Sequence, residues 1–137
     1  MIPDKKFKAL NHTLKGYTKY LCGQSLEPGY KPDYVLRKAN NYLILESENS
    51  SSRKTYVGGM IKAAHFLQHE KTGILIFVIV PKENTKASSI AAHLKPYYNW
   101  IKPKTNLKSV YVIEASNYYR NDILLDLICE DFKKVAF

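Results

Sequence analysis

A chain of 137 residues, 45% of them hydrophobic, can bury one core and is too short for two ordinary domains, so residues 1–137 read as a single domain. Its 21 Lys and Arg against 12 Asp and Glu leave a formal charge of +9, which favours a polyanionic partner such as nucleic acid or an anionic surface. The opening residues Met1-Ile2-Pro3-Asp4-Lys5-Lys6 have no apolar run behind their charges, which argues against a signal peptide. The longest apolar run, Ile74 to Val80, is too short to span a bilayer and is rich in β-branched residues, as a buried strand would be. Cys22 and Cys129 lack metal-ligand spacing and suit reduced thiols in a cytoplasmic protein, a disulfide between them staying open.

In chain order, Phe7, Leu10, Leu14, Tyr17 and Leu21 recur at helical spacing and predict an amphipathic helix over about 4–21, ended by Gly23. Lys5, Lys8, Lys15 and Lys19 occupy its other face. Glu27-Pro28-Gly29 reads as a turn. Asn40-Asn41 then links Tyr34-Val35-Leu36-Arg37 to Tyr42-Leu43-Ile44-Leu45 as a hairpin. The serines at 50–52 offer N-caps to a helix over about 53–69, in which Gly58-Gly59 costs helix stability but permits close approach. A buried strand to Val80 follows, then a helix over about 85–99 strained or ended near Pro96, a strand over 109–113, and a closing helix over 121–135 capped by Asn121 or Asn117. This α-β-β-α-β-α-β-α order predicts a mixed β-sheet flanked by helices.

Residues two apart on a strand share a face, so Glu46 and Glu48 project together with the Ser47 carbonyl between them. A hairpin turning near Asn40 sets Asp33 opposite roughly Ser47, and the three carboxylates can then converge. An arbitrary Glu-x-Glu is usually a solvated strand edge. Here it ends a strand apolar at consecutive positions, as in a strand buried on both faces. Converging carboxylates repel one another unless a cation compensates, and an all-oxygen set of Asp33, Glu46, Ser47 and Glu48 suits magnesium, with manganese able to substitute, better than zinc.

Lys31-Pro32-Asp33-Tyr34-Val35-Leu36, followed by Tyr42-Leu43-Ile44-Leu45-Glu46-Ser47-Glu48 and a helix, resembles the PD-(D/E)XK nuclease superfamily, over roughly residues 4–114. The resemblance implies a restriction-endonuclease-like α/β fold and metal-dependent cleavage of DNA, with Asp33 and Glu46 as the metal-binding carboxylates. Glu48 stands where the family most often has lysine. Some restriction endonucleases of the superfamily carry glutamate there, where it can ligate metal or help polarise the attacking water.

Arg53 and Lys54 open the next helix, and Lys54 is the candidate cation for the scissile phosphate, beside the reading of both as solvated surface charge. Lys31, Ser51, Ser52, Arg53 and Lys54 are the candidate contacts to the DNA backbone. Glu27 is a weaker candidate for a second metal, with turn decoration as its ordinary role. His65 and His69, four apart, lack a third ligand and read as a polar helix edge. Tyr97, Tyr98 and Trp100 suit either base stacking or core and interface packing. The expectation is a DNA endonuclease working as a homodimer. A Holliday-junction resolvase-like enzyme, a non-catalytic DNA-binding accessory subunit and an RNA-processing nuclease are the alternatives.

Overall fold

Tyr42, Leu43, Ile44 and Leu45 are all buried, and a strand apolar at consecutive positions has to be covered on both faces. The computed structural model, which describes residues 2–137 and leaves Met1 outside them, meets that demand with a five-stranded mixed sheet flanked by helices. The strands lie side by side in chain order: β1 (Thr18–Leu21), β2 (Tyr34–Lys38), β3 (Asn41–Glu48), β4 (Thr72–Ile79) and β5 (Leu107–Glu114). β2 runs antiparallel to both β1 and β3, whereas β3, β4 and β5 run parallel.

Parallel neighbours need crossovers, supplied here by α2 (Arg53–Phe66) between β3 and β4 and by α3 (Ala87–Ile101) between β4 and β5. Ile44, Tyr56, Met60, Phe77, Ile90 and Leu94 join these helices to one face of the sheet. Leu43, Leu45, Ile76 and Val78 occupy the other face and meet Phe7 of α1 (Asp4–Ala9), Tyr118 of α4 (Ala115–Tyr118) and Phe132 of α5 (Glu130–Val135). The free edge of β5 is partly covered by Phe137, whose backbone exchanges two hydrogen bonds of 2.9 Å with Val112.

The expected hairpin forms with its turn one residue earlier, at Ala39-Asn40, so that Lys38 faces Asn41 and Tyr34 faces Leu45. Ala39 rather than an asparagine takes the left-handed conformation, at φ +53°.

The helix expected over 4–21 is corrected to one of six residues followed by a loop and the edge strand β1. The chain leaves the helix at Leu10 and folds His12 into the core, where its ring meets the Phe7 carbonyl at 2.7 Å and the Tyr118 hydroxyl at 2.6 Å. Gly16, at φ +88°, then turns the backbone in a way no helix allows. The helical spacing of Phe7, Leu10, Leu14 and Tyr17 arises because helix and loop pack on the same core.

The closing helix over 121–135 is likewise corrected. Asn121 and Asp122, at φ +52° and +62°, make the two-residue turn of a small hairpin between β6 (Tyr119–Arg120) and β7 (Ile123–Leu124). Neither Asn121 nor Asn117 caps a helix, and α5 begins only at Glu130, where the Cys129 thiol accepts from the Phe132 N–H at 3.4 Å. Cys22 and Cys129 are both free thiols.

Pro96 does not end α3, which runs on to Ile101. Pro96 and Ala92, whose carbonyl it leaves without a helical partner, are both exposed, so water can replace the lost bond. The α2 helix stops at Phe66, and His69 lies beyond it at φ +61°, so His65 and His69 do not share a helix face. Among the described residues, no helix is long and apolar enough to cross a membrane.

Burial holds the His12 ring neutral, lowering its pKa to about 4, although its bond to the Phe7 carbonyl works the other way. The unfolded chain takes up this proton at a higher pH than the folded one. His12 therefore contributes stability that is complete above pH 6.5 and is lost as pH falls through about 4, a loss on the order of 3 kcal/mol. Thermal unfolding of wild type and His12→Gln between pH 7 and 4 checks this: the substitution should lower Tm at pH 7 and remove most of this acid-side loss.

Candidate functional site

β3 is buried up to Leu45 and emerges from the core at Glu46, half exposed like the Ser47 and Glu48 that follow. β2 starts one residue after Asp33, so Asp33 lies beyond the ladder, where its carboxylate takes the place of a strand partner. Its Oδ2 accepts the Ser47 N–H at 2.7 Å, which pins the start of one strand to the end of the other. Since N–H and C=O of one strand residue leave on the same edge, the Ser47 carbonyl also points toward Asp33. Asp33, Glu46, Ser47 and Glu48 line a cleft of about 260 Å³ at this end of the sheet.

Electrostatics make the cleft expensive. Burial, Asp33 and Glu48 together push the Glu46 pKa up to about 7, opposed by the Lys62 ammonium. Burial also raises Asp33, with Asp4 and Glu48 adding to it, while the Ser47 N–H and Lys8 pull the other way. The Lys8 ammonium lies 3.9 Å from Asp33 Oδ1 on a side chain 38% exposed. An ion pair that open contributes about 0–1 kcal/mol, too little to offset burial of a carboxylate.

Glu48 shares the face of Glu46 but bends back, its Oε1 accepting the N–H groups of Asn49 and Ser50 at 3.1 and 3.0 Å. Among the described residues, no three His, Cys, Asp or Glu side chains form a ready metal cage. Asp33, Glu46, Ser47 and Glu48 line the cleft with Asp4 of α1, and of these Glu48 has one oxygen committed to its own loop. Two carboxylates, a carbonyl and room for water suit a hard octahedral cation such as magnesium, which keeps several waters of its own.

Glu46 and Glu48 also line a second cavity of about 340 Å³, against α2, which brings Lys31, Lys54 and Lys62 beside them. Gly59 makes the space: a Cβ there would stand 3.0 Å from Glu46 Oε2 and 3.1 Å from the Phe77 ring. The serine loop is held by the Tyr56 hydroxyl, which donates to the Ser50 carbonyl at 2.7 Å. Ser51 and Ser52 remain exposed, and Ser52 occupies the N-cap position of α2 without a side-chain capping bond. Arg53 is turned aside, its guanidinium donating to the Ser51 and Asn84 carbonyls and the Thr85 hydroxyl at 2.8–3.2 Å. It ties α2 to the loop before α3. Glu27 lies elsewhere, paired with His65 at 2.8 Å.

Sequence reasoning missed Lys62, Tyr30 and Asp4. Lys62 was accessible, because it stands eight residues after Lys54 with Gly58 between them, one stripe of a helix. The Tyr30 hydroxyl is buried without a hydrogen-bond partner and its pKa is raised by burial and by Glu46. Only tertiary packing brings it and Asp4 to the site. No protein-family model matches the chain, and no curated protein or solved structure shows significant similarity to it.

Gly58 and Gly59 separate helix propensity from the site. Nothing stands within 4 Å of a Cβ at Gly58, so Gly58→Ala should raise unfolding free energy by about 0.5–1 kcal/mol. Gly59→Ala should forfeit that gain to its contacts with Phe77 and Glu46, and urea unfolding of the two variants checks the difference. Glu46 carries the opposite pH sign to His12. With its pKa raised, the stability due to its neutral form is complete below pH 4.5 and is lost as pH rises through about 7. In EDTA, Glu46→Gln should flatten that part of the stability profile.

Proposed function

We propose that the protein is a divalent-metal-dependent endonuclease that hydrolyses DNA phosphodiester bonds on a restriction-endonuclease-like scaffold. The observation that carries this reading is the pairing of Asp33 and Glu46 across the β2–β3 hairpin, half-buried and short of positive charge, beside a lysine-lined cavity. Magnesium would be held by Asp33, Glu46 and the Ser47 carbonyl, and manganese would fit the same oxygens. When bound, the ion lowers the pKa of water and neutralises charge growing on the phosphate.

The chain's own groups divide the remaining work. Lys54 and Lys62, one stripe of α2, offer their ammonium groups to the non-bridging oxygens of the scissile phosphate, where positive charge favours the transition state. Lys31 on the opposite wall and the exposed Ser51 and Ser52 would bind flanking phosphates. Arg53 acts only by positioning, since it spends its donors on the protein. Glu48, with one oxygen held by amides, would orient water beside the ion or add to the groups that hold it. Cutting both strands of a duplex needs two such centres, hence a homodimer.

A second reading, a DNA-binding accessory subunit with the same fold and no turnover, is favoured by one observation: Glu48 commits an oxygen to its own loop and no lysine takes its position. One panel separates the readings. Supercoiled plasmid, a four-way junction and single-stranded RNA are each incubated with magnesium, manganese or EDTA. The nuclease reading expects metal-dependent cleavage of DNA, the junction if the enzyme is resolvase-like. Asp33→Asn and Glu46→Gln should each lower the rate by at least about 100-fold without lowering Tm. Binding without cleavage in either metal identifies the accessory subunit, and cleavage undiminished in both variants would overturn the assignment of the site.

A further inference from the structure

We propose that the C-terminal end of α3 and the turn that follows form a second nucleic-acid surface, one that stacks the unpaired bases of single-stranded DNA, at the opposite end of the sheet from Asp33 and Glu46. The inference does not depend on hydrolysis at that cleft.

The helix fixes the placement. At its N-terminus the Ala87 N–H is received by Glu114, the last residue of β5, while farther along the Tyr98 hydroxyl donates to the carbonyl of Leu107, the first. The helix therefore runs back along the sheet, and its 15 residues carry Trp100 about 20 Å from the carboxylate end. A 3-10 turn at Lys102–Lys104 follows.

Two large aromatic side chains stand out from this end instead of packing inward, Tyr97 at 46% and Trp100 at 66% exposure. The Lys104 ammonium lies 4.0 Å above the Trp100 ring, a cation–π contact to an indole that stays largely exposed. Lys102 sits similarly over Tyr98 and His93 against Tyr97. A π-face flanked by ammonium groups is the chemistry that binds a base and its phosphate together.

Charge selects the partner. Between Glu83 and Glu114 there is no acidic residue, while Lys86, Lys95, Lys102, Lys104 and Lys108 fall in the interval. Beside the platform a groove of about 430 Å³ separates α2 from the turn, where Lys104, His69, Gln68 and Asn106 stand beside the apolar Ile61, Leu67 and Ile101, with no carboxylate among its walls. Its volume is that of a small-ligand pocket, and its amide and imidazole groups can meet the edge of a base. A second copy of this chain would set lysines against lysines. At about 3.4 Å per nucleotide along a stacked strand, about 20 Å corresponds to about six nucleotides, so one strand lying over α2 and α3 can reach both ends.

Trp100 is the only tryptophan, so its fluorescence reports this surface alone. Wild-type protein in EDTA and about 50 mM salt is titrated with an oligothymidylate of about twenty residues, and variants are followed by anisotropy of a labelled strand. The proposal expects quenching of Trp100, and a preference for the single strand over duplex at equal phosphate. Trp100→Ala and Tyr97→Ala should each weaken binding about tenfold with Tm unchanged, and Trp100→Phe should restore most of it. Lys102→Glu with Lys104→Glu should weaken binding further and lower its salt dependence. Absence of quenching, full affinity in Trp100→Ala, equal binding of duplex, or a larger Trp100 response to phosphatidylserine vesicles would each overturn it.

Discussion

A strand covered on both faces can carry charge only where it leaves the core, and β3 does so at Glu46. Everything distinctive about this end of the molecule follows from that exit. Because β3 is central, the helix layers on either side must extend to its end, which leaves the first polar side chains half-buried instead of solvated. Because β2 is shorter, Asp33 stands past its end with no ladder partner and takes the Ser47 N–H instead. One hydrogen bond thus completes the sheet and also holds a carboxylate against its neighbours.

The charges at that exit are not an incidental feature of a solvated edge. Solvated carboxylates keep ordinary acidity, whereas here burial leads the causes that raise both Asp33 and Glu46. The cations within reach are not placed to cancel this. Lys8 is too open to contribute much, and the Lys62 ammonium, bonded to the Gly29 carbonyl at 3.1 Å, opposes the rise of Glu46 without cancelling it. A protein selected for stability alone would replace Glu46 with an apolar residue, since a buried charge without a full partner lowers stability. Its presence is an argument for a ligand.

How much of this could be read from the sequence depended on whether local pattern and tertiary demand agreed. They agreed in the hairpin and in β4, where a run of apolar, β-branched residues has one stable environment; the register, one residue from the expected one, sets Asp33 across from Glu46, and its side chain reaches the Ser47 N–H. They disagreed at both ends of the chain. Phe7 to Tyr17 and Ile123 to Phe132 carry helical spacing, yet loops and short hairpins can meet a core at the same intervals. The breaks come from Gly16, Asn121 and Asp122, whose left-handed conformations outweigh a weak stripe. Ile123 is 69% exposed, so the closing stripe was never one continuous buried face. Within the site, the strand-borne Asp33, Glu46 and Glu48 were legible through alternation. The bend of Glu48 toward its own amides and the arrival of Tyr30 and Asp4 were not, because those depend on loop geometry and helix docking.

The distribution of charge links the two ends. A cleft with excess negative charge would repel a polyanion, and no anionic chain would approach Asp33 and Glu46 unless the surroundings reversed the sign. At +9 overall they do, and lysines border the carboxylates on the α2 side through Lys31, Lys54 and Lys62. The acid-free stretch from residue 84 to 113 extends positive charge along α3 to the far end of the sheet. Exposed charges more than about 10 Å apart are screened at moderate salt, so the far lysines cannot offset the carboxylates through space. They can act on the same partner only if it is long enough to touch both ends. On the proposed reading that partner is an extended polyanion, whose phosphates would engage successive cations.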